Sequence, residues 1–460
     1  MRECCERRET QKSLAGHSDE SSAGRALRVS PGRGEHLSLR TANGMSRIGR
    51  VTDTGVDLRL ARDGGPPART RPEPPMFPGG MEIAAEEIEA ATRVLSSKNV
   101  FRYYGVGDGP HEVLDFEREF AGQMGAAHAL CVNAGSSALI CGLIGAGVGA
   151  GDEVIVPAYT WNATPNAVIA SGATPVLAEV DESLTLDPED VARKIGPKTK
   201  AILPVHMRGA PANMEALTGL AREHGLVLVE DVCQAAGASF AGRRLGTFGD
   251  AGAFSLQFNK IITTGEGGVM ITSRDDLYEL AIDVHDCAGS LRRGAGLPRF
   301  AGWNFRASEL QGAVARVQLT RLDGLLDRMR SNQRRLADRV EGLPGLTLRR
   351  PNDDGGDAGI CLIAFAASPV LAAEAVEALK AEGVLAMRIY DPAIPDLHIY
   401  PYWAPVLEYL KAKGEPAPDC PRTLELLERT IHVDLSPLLE DADVDELALA
   451  FEKVARGILA

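Results

Sequence analysis

Lys260 and Asp231 are the residues whose types and setting point first to chemistry. Lys260 closes the stretch Phe254-Ser255-Leu256-Gln257-Phe258-Asn259-Lys260, and Thr264-Gly265-Glu266-Gly267-Gly268 follows shortly after. Most lysines are surface residues with charged neighbours, whereas these flanks are apolar or small. The glycines permit a tight backbone around the amine. An amine that condenses with a carbonyl must reach its neutral form, so its pKa has to fall from about 10.4 toward neutrality. Burial and a nearby cationic ring would lower it. Asp231 ends the apolar run Leu226-Val227-Leu228-Val229-Glu230-Asp231, which sets a carboxylate at the end of a strand. On its own such an aspartate would be read as a helix cap. Together, a Schiff-base lysine and an acid for a pyridinium nitrogen are what pyridoxal phosphate (PLP) requires of a protein.

Three further groups fit the same chemistry. Asn133-Ala134-Gly135-Ser136-Ser137-Ala138-Leu139 follows a strand and opens a helix, where backbone N–H groups and two hydroxyls form a phosphate site. Taken singly it would be an ordinary serine cap. Trp161, in Pro157-Ala158-Tyr159-Thr160-Trp161-Asn162, offers a flat ring at a strand exit for stacking on a heterocycle, although a lone tryptophan is more often core. Gln234, three residues past Asp231, can reach a ring hydroxyl if its turn faces the same way. The glycine-rich Gly145–Gly151 stretch precedes a strand, the wrong order for a dinucleotide fingerprint.

The elements that must position these groups alternate along the chain. His128–Val132, Glu153–Pro157, Thr174–Val180, Ala201–His206 and Leu226–Asp231 read as buried strands, with helices over Ala138–Val148 and Met214–His224 between them. Such alternation predicts an α/β fold with a mainly parallel sheet covered on both faces. A long helix is expected from Ser308, with Leu310, Val314, Val317, Leu325 and Met329 near one face. A smaller α+β unit should follow, with a strand near Ile360–Phe365, a helix near Ala372–Glu382, and a last helix bearing Val444, Leu447, Phe451 and Val454. The expected domains are 76–325 (large, PLP-binding) and 326–460 (small, C-terminal).

Residues 1–75 differ from the rest. They hold 14 basic and 10 acidic side chains, a net of +4, against 35 and 53 in the remainder, a net of −18. They lack periodicity and end in proline- and glycine-rich sequence, so they read as a disordered N-terminal extension, or as a leader ahead of a true start at Met76 or Met81. So acidic a body argues against nucleic acid as a partner. The eight cysteines form no CxxC, and nothing in their spacing suggests a metal site. No apolar run approaches the roughly 18 residues of a membrane span, and the polar start is no secretory signal, so a cytoplasmic location is expected.

In order and spacing, these motifs resemble the DegT/DnrJ/EryC1/StrS aminotransferases, fold-type I PLP enzymes of amino-sugar and aminocyclitol biosynthesis. The resemblance runs over roughly residues 77–460. It rests on Asn133–Leu139, Tyr159-Thr160-Trp161, Val205-His206-Met207-Arg208-Gly209, Glu230–Gly237, Phe254–Lys260, Gly265–Gly268 and Gly302-Trp303-Asn304-Phe305-Arg306. It implies that Lys260 holds PLP as a Schiff base and shuttles a proton, that Asp231 pairs with the ring nitrogen and that Gln234 meets the ring hydroxyl. Trp161 would stack on the ring, and Ser136, Ser137 and Ser255 would bind phosphate. Asn304 would reach the phosphate of a neighbouring subunit, making a homodimer the functional unit. Ser136 stands where threonine is usual, Ala236 where histidine is common and Asn162 where valine is frequent.

The implied reaction moves an amino group from glutamate or glutamine to a keto or aldehyde group on a sugar or cyclitol. Two alternatives are a PLP-type sugar dehydratase, whose members carry histidine in place of the lysine, and a non-catalytic regulatory protein of the same fold. Lys260 speaks against the first, and intact Lys260 and Asp231 against the second. Candidate substrate contacts are Arg102, Arg208, Arg306, Arg388 and His398, since a carboxylated acceptor would call for an arginine fork.

Overall fold

The computed structural model describes residues 57–106, 109 and 111–460. The apolar runs read from the sequence form β1 His128–Val132, β2 Glu153–Pro157, β3 Thr174–Ala178 (ending two residues before the expected Val180), β4 Thr199–Ile202 (starting before the expected Ala201 and ending well short of His206) and β5 Val227–Asp231. A short hairpin follows, β6 Ser239–Phe240 with β7 Arg243–Arg244, and then β8 Ala251–Ser255 and β9 Gly268–Thr272. Seven of these strands build one sheet in the order β1-β9-β8-β5-β4-β2-β3. β3, β2, β4, β5 and β8 pair in parallel, and β9 runs antiparallel to both β8 and β1. Their side chains are buried on both faces, as near-continuous Val, Ile, Leu and Ala runs require.

β8 and β9 were not among the expected strands. Ala251-Gly252-Ala253-Phe254-Ser255 lacks the β-branched side chains that mark a strand. Gly252 is nonetheless needed there, because a Cβ would lie 2.5 Å from the Gly246 backbone.

Helices cover the sheet. Those used below are α1 Glu112–Met124, α2 Gly135–Gly145, α3 Ala163–Ala170 and α4 Glu309–Val340. α4 is started by a capping box in which Ser308 Oγ accepts from Gln311 N (3.4 Å) and Gln311 Oε1 accepts from Ser308 N (2.9 Å). It runs for 32 residues through the boundary expected at 325/326, so the two layers share one rigid helix.

The C-terminal layer is an antiparallel sheet in the order β10-β11-β13-β12, formed by β10 Leu346–Leu348, β11 Cys361–Ala366, β12 Ala386–Met387 and β13 Thr430–Asp434. Its helices α5 Pro369–Ala381 and α6 Asp441–Val454 bury Ala372, Val376 and Leu379, and Val444, Leu447, Phe451 and Val454.

The expected disordered extension is corrected for its last part. Residues 57–75 pack on the C-terminal layer, while 1–56 lie outside the described residues. Arg69 Nη1 donates to Asp443 Oδ1 (2.8 Å) and Glu446 Oε2 (3.1 Å). The Glu382 carboxylate accepts from Ala61 N (2.7 Å) and Ala68 N (2.9 Å) and pairs with the buried Lys453. Leu60 joins the core that holds Phe451 and Leu336. Partners so distant in sequence are invisible to local composition.

Candidate active site

β5 ends in two acids that face opposite sides of the sheet, as adjacent strand residues must. Glu230 is buried and structural. It accepts from Gly246 N (2.7 Å), Phe248 N (2.7 Å) and Gly249 N (2.8 Å), and its Oε2 lies 3.2 Å from His206 Nε2. His206 Nδ1 accepts from Ala212 N (3.1 Å), so the ring proton sits on Nε2 and donates to Glu230. Asp231 instead faces a cavity of about 490 Å³. Its Oδ1 accepts from Cys233 N (3.0 Å) and its Oδ2 from Thr164 Oγ1 (2.9 Å), which is itself 2.8 Å from Thr160 Oγ1. These bonds fix the carboxylate and leave lone pairs for a ligand. Burial pushes the neighbouring Cys233 thiol well up, and the Asp231 charge adds to it, which disfavours the thiolate.

The cavity lies beyond the carboxyl ends of the parallel strands, the usual place for a ligand in an open α/β sheet. Ser136, Trp161, Asp231, Gln234, Ser255 and Lys260 all line it. At one end α2 begins. Its N-cap, Ala134, is extended (φ −164°, ψ 157°) and supplies no side-chain acceptor, so the first-turn N–H groups have no side-chain cap. Ala134, Gly135 and Ser136 form that wall. Gly268 allows the approach, because a Cβ there would lie 2.4 Å from the Ala134 carbonyl. Ser255, at the end of β8, adds a second hydroxyl.

Ser137 departs from expectation. It is buried, does not line the cavity, and donates its hydroxyl to Asn133 Oδ1 (2.7 Å). Consecutive helix residues point about 100° apart, and here Ser136 borders the cavity while Ser137 turns to Asn133.

Trp161 stands at the rim, 45% exposed, with its ring 4.9 Å from that of His398 and tilted 55°. The rim is held from the C-terminal layer, where Thr160 N donates to His398 O (2.9 Å) and Asn162 N to Leu397 O (3.1 Å). Gln234 lines the cavity, and its Oε1 accepts from Arg208 N (3.0 Å), so its amide hydrogens are left for another acceptor. Lys260 sits on the loop between β8 and β9. Its N–H donates to Gln257 O (2.9 Å) and its carbonyl accepts from Gly79 N (3.2 Å). Among the described residues its amine forms no ion pair, and it borders both the main cavity and an adjoining chamber of about 340 Å³.

The five candidate substrate contacts separate cleanly. Arg102 is spent on structure: Nη2 donates to both Glu117 oxygens (2.8 and 3.0 Å) and Nη1 to Cys131 O (3.1 Å), joining its loop to α1 and β1. Arg306 pairs with the buried Asp286 (2.7 Å), and Arg388 with Asp391. None of these three borders either cavity. His398 lines both, with Nδ1 2.7 Å from Asp396 Oδ1. Arg208 lines the adjoining chamber. Asn304 is exposed and lies outside its own chain's cavity, its backbone bridged to Asp286. Thr164 and Asp434 also line the walls and carry no expected role from the sequence. For Thr164 the available signal was its place one turn into the segment after β2, beside Trp161.

The set fits PLP. An uncapped helix start with two hydroxyls suits a phosphate, a fixed carboxylate suits a ring nitrogen, an exposed ring suits stacking, and Lys260 reaches the same space.

The profile of the DegT/DnrJ/EryC1/StrS aminotransferase family matches residues 81–452. The chain is 33% identical to the spore coat polysaccharide biosynthesis protein SpsC of Bacillus subtilis, over 82% of this chain and 96% of that protein. It is 34% identical to the L-glutamine:2-deoxy-scyllo-inosose aminotransferase of Streptomyces fradiae, over 86% of this chain and 97% of that one. Among solved structures, 3-amino-5-hydroxybenzoic acid synthase superposes with a TM-score of 0.72 at 29% identity, covering 84% of this chain and all of its own.

Proposed function

The chain belongs to the DegT/DnrJ/EryC1/StrS aminotransferase family, and from that premise we propose that it is a PLP-dependent transaminase carrying an amino group from glutamate or glutamine to a keto or aldehyde group of a sugar or cyclitol. The observation that carries this reading is the meeting of Lys260 and Asp231 on one cavity whose far wall is an uncapped helix start. The glutamine donor and cyclitol acceptor in the name of the Streptomyces fradiae relative support the substrate classes.

Bound PLP supplies an electron sink for negative charge at the donor's Cα. This chain's residues do the rest. Ser136, Ser255 and the first N–H groups of α2 would hold the phosphate. Asp231, fixed by Thr164 and the Cys233 N–H, would keep a proton on the ring nitrogen. The Gln234 amide would donate to the ring hydroxyl, and Trp161 would cover one ring face. Lys260 Nζ would hold the cofactor at rest, take the proton from the donor Cα, and return one to the acceptor carbon in the second half-reaction. Asn304, exposed and absent from the lining of its own cavity, would serve the phosphate site of a second copy, which makes the working unit a homodimer in this proposal. A cytoplasmic location is part of the same reading; among the described residues no helix is long and apolar enough to cross a membrane.

The test is amino transfer by the PLP-loaded protein from L-glutamine to 2-deoxy-scyllo-inosose and to nucleotide-linked keto-sugars, read by mass spectrometry of the product. An aminated product absent with Lys260→Ala supports the proposal. PLP binding with no transfer from glutamine or glutamate to any keto-sugar or cyclitol would overturn it.

A further inference from the structure

The chamber beside Lys260 contains a cation that forms no ion pair among the described residues. It is Arg208, partly buried in the chamber wall. Among the described residues its guanidinium makes one hydrogen bond, from Nε to Tyr159 Oη at 3.5 Å, the outer limit of such a bond. A desolvated guanidinium normally takes a carboxylate partner, as Arg102, Arg306 and Arg388 do here.

The backbone beneath it is held in place. Arg208 lies at φ 52°, ψ 39°, a left-handed conformation that non-glycine residues rarely adopt. Its N–H donates to Gln234 Oε1 (3.0 Å), and its carbonyl accepts from Arg349 Nη2 (3.5 Å) and Cys361 Sγ (3.6 Å). Arg349 is itself buried and paired with Asp357 (3.1 Å). An unfavourable backbone clamped from three sides aims this side chain at the chamber shared with Lys260.

We propose that Arg208 is a substrate-binding residue that receives a carboxylate in the chamber beside Lys260. This inference rests on the PLP aminotransferase reading. Guanidinium binds carboxylate through paired N–H donors, a geometry that lysine cannot reproduce. The carboxylate comes either from the amino-acid donor or from an acidic sugar acceptor. Asp434, on the same wall and 3.3 Å from His432 Nε2, faces Arg208 without pairing with it, and is placed to accept from a hydroxyl or ammonium of the same ligand.

The experiment compares full-length, PLP-loaded wild-type protein with Arg208→Met and Arg208→Lys. One arm follows the visible band of bound PLP as L-glutamate is added. The other titrates D-glucuronate against D-glucose, which lacks the carboxylate. Arg208→Met should raise the half-saturating L-glutamate, or the Kd for glucuronate but not glucose, on the order of ten- to hundredfold, with partial recovery in Arg208→Lys. A shift in the first arm assigns the carboxylate to the donor, and a shift in the second to the acceptor. Unchanged values in both arms, with a wild-type PLP band and Tm, overturn the inference. A wild-type protein that takes up no PLP is a different failure: it removes the aminotransferase reading, and this inference with it.

Discussion

The Lys260 cavity and the clamp that ties residues 57–75 to the C-terminal layer both take charged side chains out of water, and they treat them oppositely. In the clamp, Arg69 meets Asp443 and Lys453 meets Glu382, cation against carboxylate. In the cavity, Lys260 and Arg208 form no ion pair among the described residues, although Asp231 and Asp434 share the walls. Lys260 and Arg208 are only partly buried, but a cation drawn from water without a paired carboxylate is costly, and a ligand would complete the second arrangement. Pairing therefore separates structural charge from binding charge better than burial does. Arg102 shows this, since it lies in the aromatic stretch Phe101–Tyr104 and yet belongs, through Glu117, with the clamp type.

The largest effect should come from the unpaired lysine. Lys260→Ala should lower transamination by about 10⁴-fold or more, because covalent attachment and proton transfer are lost together, with Tm near wild type. Arg102→Met should do the reverse. Leaving Glu117 buried with only the Cys131 N–H as partner should cost about 3–5 kcal/mol of unfolding free energy in a denaturant melt, while the KM values of properly folded enzyme stay unchanged; a raised acceptor KM would move Arg102 back to the substrate site.

Acid should expose a third contrast. His285 is buried as the neutral ring, Nδ1–H donating to Ile282 O (2.6 Å). Burial pushes its pKa from 6.5 down to about 3, with the nearby Arg102 charge adding to the shift. The unfolded chain then binds the extra proton between those two values. Stability is thus full above pH 6.5 and falls as pH drops toward 3, by about 1.4 kcal/mol per pH unit from this residue. Melts from pH 7 to pH 5 should show a steeper loss in wild type than in His285→Gln, and equal slopes would contradict this. The smallest effect is expected from Thr164→Val, which removes one hydrogen bond to Asp231. PLP affinity should weaken by about 1–2 kcal/mol, and an unchanged affinity would show that Asp231 needs no such support.

Much of this was legible in the sequence because it is local. β1 to β5 announce themselves as apolar runs, Asp231 as the acid that ends one, and Lys260 by its uncharged flanks. β8 was hidden because its strand is made of small residues chosen for close approach rather than for β propensity. Ser136 and Ser137 looked equivalent in sequence and are separated by burial and by the bond from Ser137 to Asn133. The arginines could not be sorted beforehand, since their partners, Glu117 for Arg102 and Asp286 for Arg306, are set by tertiary contact. The same holds for residues 57–75, whose charges meet partners more than three hundred positions away.

The most direct test of the central claim, that Lys260 and Asp231 form a working PLP site, is the absorption spectrum of the purified protein with PLP, before and after excess L-glutamate, beside Lys260→Ala. A visible band that is present in wild type, is discharged by the donor, and fails to discharge in the variant is the result expected. A wild-type protein that shows no such band with added PLP, or a band that L-glutamate and L-glutamine both leave untouched, would contradict the account.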